Sequence, residues 1–171
     1  MQINKPVILA FIYAVLFSAL VCFVFYGGHI KYITHAYLIG LLCMLPFVYA
    51  AVWFQKRDVY QGEIGGKVAG KEGVKFVVIA TLFLVIFQII FFETSFKAYK
   101  INYMQTVGPQ MLKEQILVGN LKITEAGIQK MIAADVEGVN LFKEVTSVIF
   151  KTIFYGIFCS IISAILLRRK T

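Results

Sequence analysis

The chain has 171 residues, 60% of them hydrophobic and only 15% charged, with a formal net charge of +8, whereas soluble domains run about 45–50% apolar and about 25% charged. A globule of this size leaves roughly a third of its unfolded-chain surface in water, so many of the 16 Phe and 9 Tyr would face solvent unless that solvent were largely lipid. This composition excludes a disordered chain, a collagen-like repeat and a disulfide-rich secreted scaffold, and it names no activity.

Taken in chain order, four stretches nearly empty of charge are each long enough to cross a bilayer, whose core of about 30 Å takes roughly 20 helical residues. The first covers about 6–26 and the second about 33–54, neither with a Lys, Arg, Asp or Glu. The third, about 74–92, is bounded by Lys75 and Glu93, and the fourth, about 145–167, holds only Lys151, close enough to its start to snorkel outward. It stops at Arg168, Arg169 and Lys170. Continuous apolar runs argue against barrel strands, which alternate over about 10 residues. The predicted fold class is therefore all-α: a polytopic membrane protein with four transmembrane helices and a short helical extracytoplasmic segment, 94–144, between the third and the fourth. Pro46 predicts a kink in the second span. The first span is too long for a typical signal core and lacks a small-x-small site after it, so it reads as a mature helix. Val21 before Cys22 argues against lipidation there, and Cys22, Cys43 and Cys159 all fall within spans as small apolar residues.

Four spans place both termini on one side. That side would carry Lys5, then Lys56, Arg57, Lys67, Lys71 and Lys75, then Arg168, Arg169 and Lys170. The positive-inside rule makes it cytoplasmic, which predicts a multi-pass bacterial inner-membrane protein with anionic headgroups as the natural partner of its charge. A basic face with stacking aromatics is missing, so no nucleic-acid partner is expected. Trp53, Phe54 and Tyr60 would mark the cytoplasmic interface, and Tyr26, Tyr32, Tyr37, Tyr99 and Tyr103 the outer one.

Lipid-immersed helices associate through small residues. Ala10, Ala14, Ser18 and Cys22 line one face of the first span, and Gly156, Ser160 and Ala164, with Ser163 beside them, line one face of the fourth. These faces predict packing of the first span on the fourth, or a homo-oligomer seam. The outer segment reads as two short amphipathic helices. Pro109 opens the first, with Met111, Leu112 and Ile116 on one side and Gly119-Asn120 as its stop. Thr124 caps the second, with Ile128, Met131, Ile132 and Val136 at helical spacing and an end near Gly138. Leu112, Ile116, Ile128, Met131 and Ile132 are the residues expected to contact the chain itself, the leaflet or a protein partner engaged through 105–140.

Chemistry is sparse. The stretch 65–72 matches the glycine and lysine spacing of a phosphate-binding loop but ends in Glu72 where Ser or Thr would hold magnesium, and no strand precedes it. A flexible basic turn accounts for it. His29, His35 and Glu93 share one predicted depth and are the candidates for a metal site or acid/base pair, although span ends collect polar residues in any case. Gln88 is the most polar residue within a span apart from the terminal lysines, and reads as interhelical glue. No intramembrane proton relay, broken-helix pair, catalytic triad or H-E-x-x-H pair is present, so neither a cofactor nor catalysis is expected.

Gly62, Ile64, Ala69, Lys71 and Gly73 leading into the third span, and Pro109 to Leu112 opening the loop helix, make the chain resemble, over nearly its whole length, the uncharacterised bacterial integral-membrane proteins grouped as domain-of-unknown-function family 4199. Where that family often has Phe in the second loop, this chain has Gly66 and Gly70. The resemblance implies a bacterial inner membrane and this order of spans, and no chemistry. The resulting expectation is a non-enzymatic accessory or scaffold protein whose outer segment contacts a partner or the membrane surface. The alternatives are a small transporter or channel subunit, or an interfacial enzyme using His29, His35 and Glu93.

Overall fold

The computed structural model describes residues 5–29, 32–110, 113 and 124–168. Of these, 89% are helical and none lies in a strand. The elements are α1 (Lys5–Tyr26), α2 (Ile33–Leu42), α3 (Met44–Asp58), α4 (Gly66–Phe91), a π-helical turn (Phe92–Phe96), α5 (Lys97–Thr106), α6 (Glu125–Glu137) and α7 (Leu141–Leu167). Four helical runs, Lys5–Tyr26, Ile33–Asp58, Gly66–Gln110 and Leu141–Leu167, are long and apolar enough to cross a membrane, so the chain is a multi-pass membrane protein. Phe11, Phe23, Leu82, Ile86, Phe150 and Phe154 are exposed along them, as lipid-facing side chains should be.

The chain forms two compact units, Met1–Phe87 with Ser147–Thr171, and Gln88–Thr146. In the first, α1 turns Ala10, Tyr13, Ala14, Phe17 and Val21 inward, the i, i+3, i+4, i+7 face of a helix. Tyr13 packs against Phe47 and Phe76 at 5.5 and 6.3 Å between ring centroids, and Phe17 against Tyr37 at 5.5 Å. The second span is interrupted at Cys43, three residues before Pro46. Proline has no N–H for the carbonyl of Leu42, and its ring crowds that carbonyl. In the last turn before the interruption, the Tyr13 hydroxyl donates to the Gly40 carbonyl oxygen at 3.1 Å. An aromatic side chain of one span thus supports the broken backbone of the next.

The small face of the fourth span lies against the third. A Cβ placed on Gly156 would sit 2.3 Å from Val77 Cγ1, and one on Gly73 would sit 2.8 Å from Ser160 Cβ. Lower on the same seam, Gly70 faces Ala164 and Gly66 faces Arg168, each with 3.9 Å between the added Cβ and the partner's Cβ. Gly156, Ser160, Ser163 and Ala164 are all buried. On the first span Ala10 and Ala14 are buried, while Ser18 and Cys22 are half-buried. The hydroxyls of Ser18, Thr81 and Ser160 return to the carbonyls of Ala14, Val77 and Gly156 at 2.7–2.8 Å, which satisfies them inside their own helices.

The expectation of a flexible basic turn at 65–72 is corrected: helix begins at Gly66, with Gly66 and Gly70 toward α7 at ordinary contact distance and the lysines exposed. The connection before it is short. Gln61 and Gly62 take positive φ of 50° and 90°, and the Gly62 N–H donates to the Lys56 carbonyl at 2.8 Å, closing α3.

In the second unit the third span's helix does not stop at residue 92 but passes through the π-helical turn into α5. The Lys97 N–H reaches back five residues to the Phe92 carbonyl, and the Thr94 hydroxyl donates to the Ile90 carbonyl at 2.7 Å, so the polar residues that read as an end are absorbed by the wider turn. Phe91 and Phe96 stack across it at 5.6 Å. Thr124 caps α6, its hydroxyl accepting from the Gly127 N–H at 3.3 Å.

Candidate functional site

The densest polar chemistry in the first unit is at the end where α1 and α4 begin and α3 and α7 finish. Lys5 and Arg57 both hold Asp58, at 2.6 and 2.7 Å. The Arg57 guanidinium also lies over the rings of Trp53 and Phe54, at 4.8 and 5.2 Å. Lys56 Nζ donates to the Leu167 carbonyl at 2.9 Å, a cation at the negative end of α7. Together these contacts tie the starts and finishes of three helices into one charged collar.

On α4 sits Glu72, 8% exposed although ionisable. Lys75 donates to it at 2.7 Å and the Tyr60 hydroxyl at 3.4 Å. In the sequence Glu72 stands out only as a mismatch to a phosphate loop. The signal that would have found it is its place in a helix: Ala69 and Phe76, three residues before and four after it, are buried, which puts Glu72 on the same inward side of α4. Around the outside, Lys67, Lys71 and Arg168 are exposed and form no ion pair among the described residues.

His29 and His35 are exposed in the first unit, with the His35 ring 6.0 Å from that of Tyr32. Glu93 belongs to the second unit, where Lys97 lies 3.6 Å from it. Among the described residues, no group of three or more His, Cys, Asp or Glu could hold a metal ion. Gln88 is 2% exposed. In the second unit Lys100 pairs with Glu144. Ile128 and Ile132 are buried, Ile132 beside Gly108, whereas Met131 is exposed. Met111, Leu112 and Ile116 lie outside the described residues.

A family model described as a protein of unknown function, DUF4199, matches residues 7–169. The chain belongs to the DUF4199 family. Comparison with curated proteins and with solved structures found no match. Several residues that carried the resemblance to DUF4199 have physical roles here. Gly62 takes the positive φ that ends α3, Ile64 and Ala69 are buried, and Gly73 lets α7 approach. The pattern therefore describes how the second connection and the start of α4 are built.

Proposed function

We propose that this chain is a non-enzymatic accessory or scaffold protein of the bacterial inner membrane, with both termini and the 59–65 connection cytoplasmic and the 94–144 segment outside. The observation that carries the reading is the filled interior of the first unit: Tyr13, Met44, Val48, Val52, Phe76 and Leu84 are each at most 1% exposed. Side chains of that size between the helices support a role performed at surfaces. Collection of Lys5, Lys56, Arg57, Lys67, Lys71 and Arg168 at one end of that unit supports the orientation through the positive-inside rule. On α6 the chain itself buries Ile128 and Ile132, and the exposed face offers Met131 between Lys130 and Asp135. That ordered face is the one proposed to meet a partner protein.

Two measurements test the two halves of this reading. With Cys22, Cys43 and Cys159 replaced by alanine, Lys130→Cys is expected to react with a membrane-impermeant maleimide on intact cells and Lys67→Cys only after lysis. The opposite pattern overturns the orientation. A photoreactive residue at Met131 is expected to give one discrete adduct with a protein or a second copy of the chain in living cells; capture of lipid alone, or of nothing, overturns the accessory role.

A further inference from the structure

Beyond the tight contacts at Gly73 and Gly156, Gly66 and Gly70 leave a groove between α4 and α7. It encloses about 270 Å³ and is lined by Gly66, Lys67, Gly70, Ile161, Ala164, Ile165 and Arg168. Its floor is Gly70 and Ala164, where even a Cβ added to Gly70 would come no nearer than 3.9 Å to the Ala164 Cβ. Ile161 and Ile165, 52% and 56% exposed, form an apolar wall one helical turn apart. At one end stand the exposed cations Lys67 and Arg168, and among the described residues no carboxylate lines the groove. Of the other described cations at this end, Lys5 and Arg57 have Asp58, Lys75 has Glu72 and Lys56 has a helix carbonyl, while Lys71, also without an ion pair, does not line the groove.

We propose that this groove holds an anionic phospholipid, with its phosphodiester on Lys67 and Arg168 and a stretch of one acyl chain along Ile161, Ala164 and Ile165. The argument is complementarity of two kinds at once. An ammonium and a guanidinium with no anion of their own among the described residues match a negatively charged headgroup, and an apolar channel beginning beside them matches the chain joined to it. A free anion would satisfy only the cations, and a zwitterionic lipid would place its own cation beside Lys67 and Arg168. Basic pockets between membrane helices recognise anionic lipid headgroups on this principle. The inference needs the membrane-spanning reading alone, and stands whatever partner or orientation applies.

The test uses the full chain in nanodiscs of phosphatidylcholine, with and without phosphatidylglycerol, and counts retained lipid by native mass spectrometry. The wild type is expected to retain phosphatidylglycerol in preference to phosphatidylcholine. Lys67→Gln with Arg168→Gln is expected to weaken that preference by roughly thirtyfold, about fivefold for each cation near an anionic headgroup. Both positions are exposed, so the fold should tolerate the change. Lys130→Gln, a cation on α6, should leave retention unchanged, and Gly70→Leu should expel the lipid by filling the groove. Equal retention of the two lipids, a double variant that binds like wild type, an equal loss in Lys130→Gln, or displacement by inorganic phosphate alone would each overturn the assignment.

Discussion

Gly156→Ala is expected to destabilise the protein by about 2 kcal/mol, an overpacking cost inside a tight helix seam. Two effects oppose each other. Alanine favours a helix over glycine by about 1 kcal/mol, which taken alone would make the variant more stable. Against this, the new Cβ would meet Val77 Cγ1 at 2.3 Å, Cγ2 at 2.6 Å and Cβ at 3.0 Å. Rotating Val77 about χ1 does not relieve the clash, because both methyls and the branching carbon are close, and a valine in a helix has one strongly preferred rotamer in any case. The helices must separate, and the seam from Val77 to Gly66 loses contact along with them. Steric origin makes the effect largely reversible: Val77→Ala, which alone costs about 1–2 kcal/mol for the cavity it opens, removes both methyl clashes and leaves only the Cβ contact at 3.0 Å, so Gly156→Ala should cost far less in that background than in the wild type. Unfolding of the four proteins in mild detergent, followed by circular dichroism, gives the cycle. An additive double variant would mean that α4 and α7 do not meet at these residues.

That seam also marks the limit of what the amino-acid pattern made legible. The four spans were readable because charge is so rare between residues 6 and 26, 33 and 54, 74 and 92, and 145 and 167 that each run fits the bilayer and little else. The small-residue face of the fourth span was readable from the step of four between Gly156, Ser160 and Ala164. Its neighbour was not, because Gly66 and Gly70 stand among Lys67, Lys71 and Glu72, and glycine with charge reads as a loop when helix propensity is considered alone. Packing against α7 overrides that propensity. Pro46 announced the break in the second span, and the interruption falls at Cys43, inside the turn whose carbonyl the proline leaves without a donor. Nothing announced Tyr13, since a run such as residues 6–26 is apolar on every side and its periodicity does not separate lipid-facing from buried aromatics. Charge counting located the basic end, but the pairing within it depends on which cations find a carboxylate, a carbonyl or neither.

Glu72→Lys is expected to cost about 3 kcal/mol, the scale of a buried charge left without compensation. The carboxylate is 8% exposed and accepts from Lys75 and Tyr60. The ion pair itself contributes little, because the Lys75 side chain is 56% exposed and water screens it. The penalty comes instead from placing an ammonium in the space of a carboxylate, with Lys75 three residues along the same helix and no acid to receive it. Glu72→Gln keeps the shape and an acceptor oxygen for Tyr60 and Lys75, so its expected cost is about 1 kcal/mol. Reversing the pair decides between charge and shape. Glu72→Lys with Lys75→Glu should recover part of the stability lost by Glu72→Lys alone, since the Tyr60 hydroxyl can accept from the new ammonium while the carboxylate introduced by the second substitution faces it. Chemical unfolding in detergent at low and high salt checks both points. Salt should change the wild type little, because Glu72 is shielded by the protein, and should narrow the gap between Glu72→Lys and the reversed pair only at the exposed partner. Should the reversed pair prove no more stable than Glu72→Lys, the contact with Lys75 would play no part and the cost would belong to burial alone.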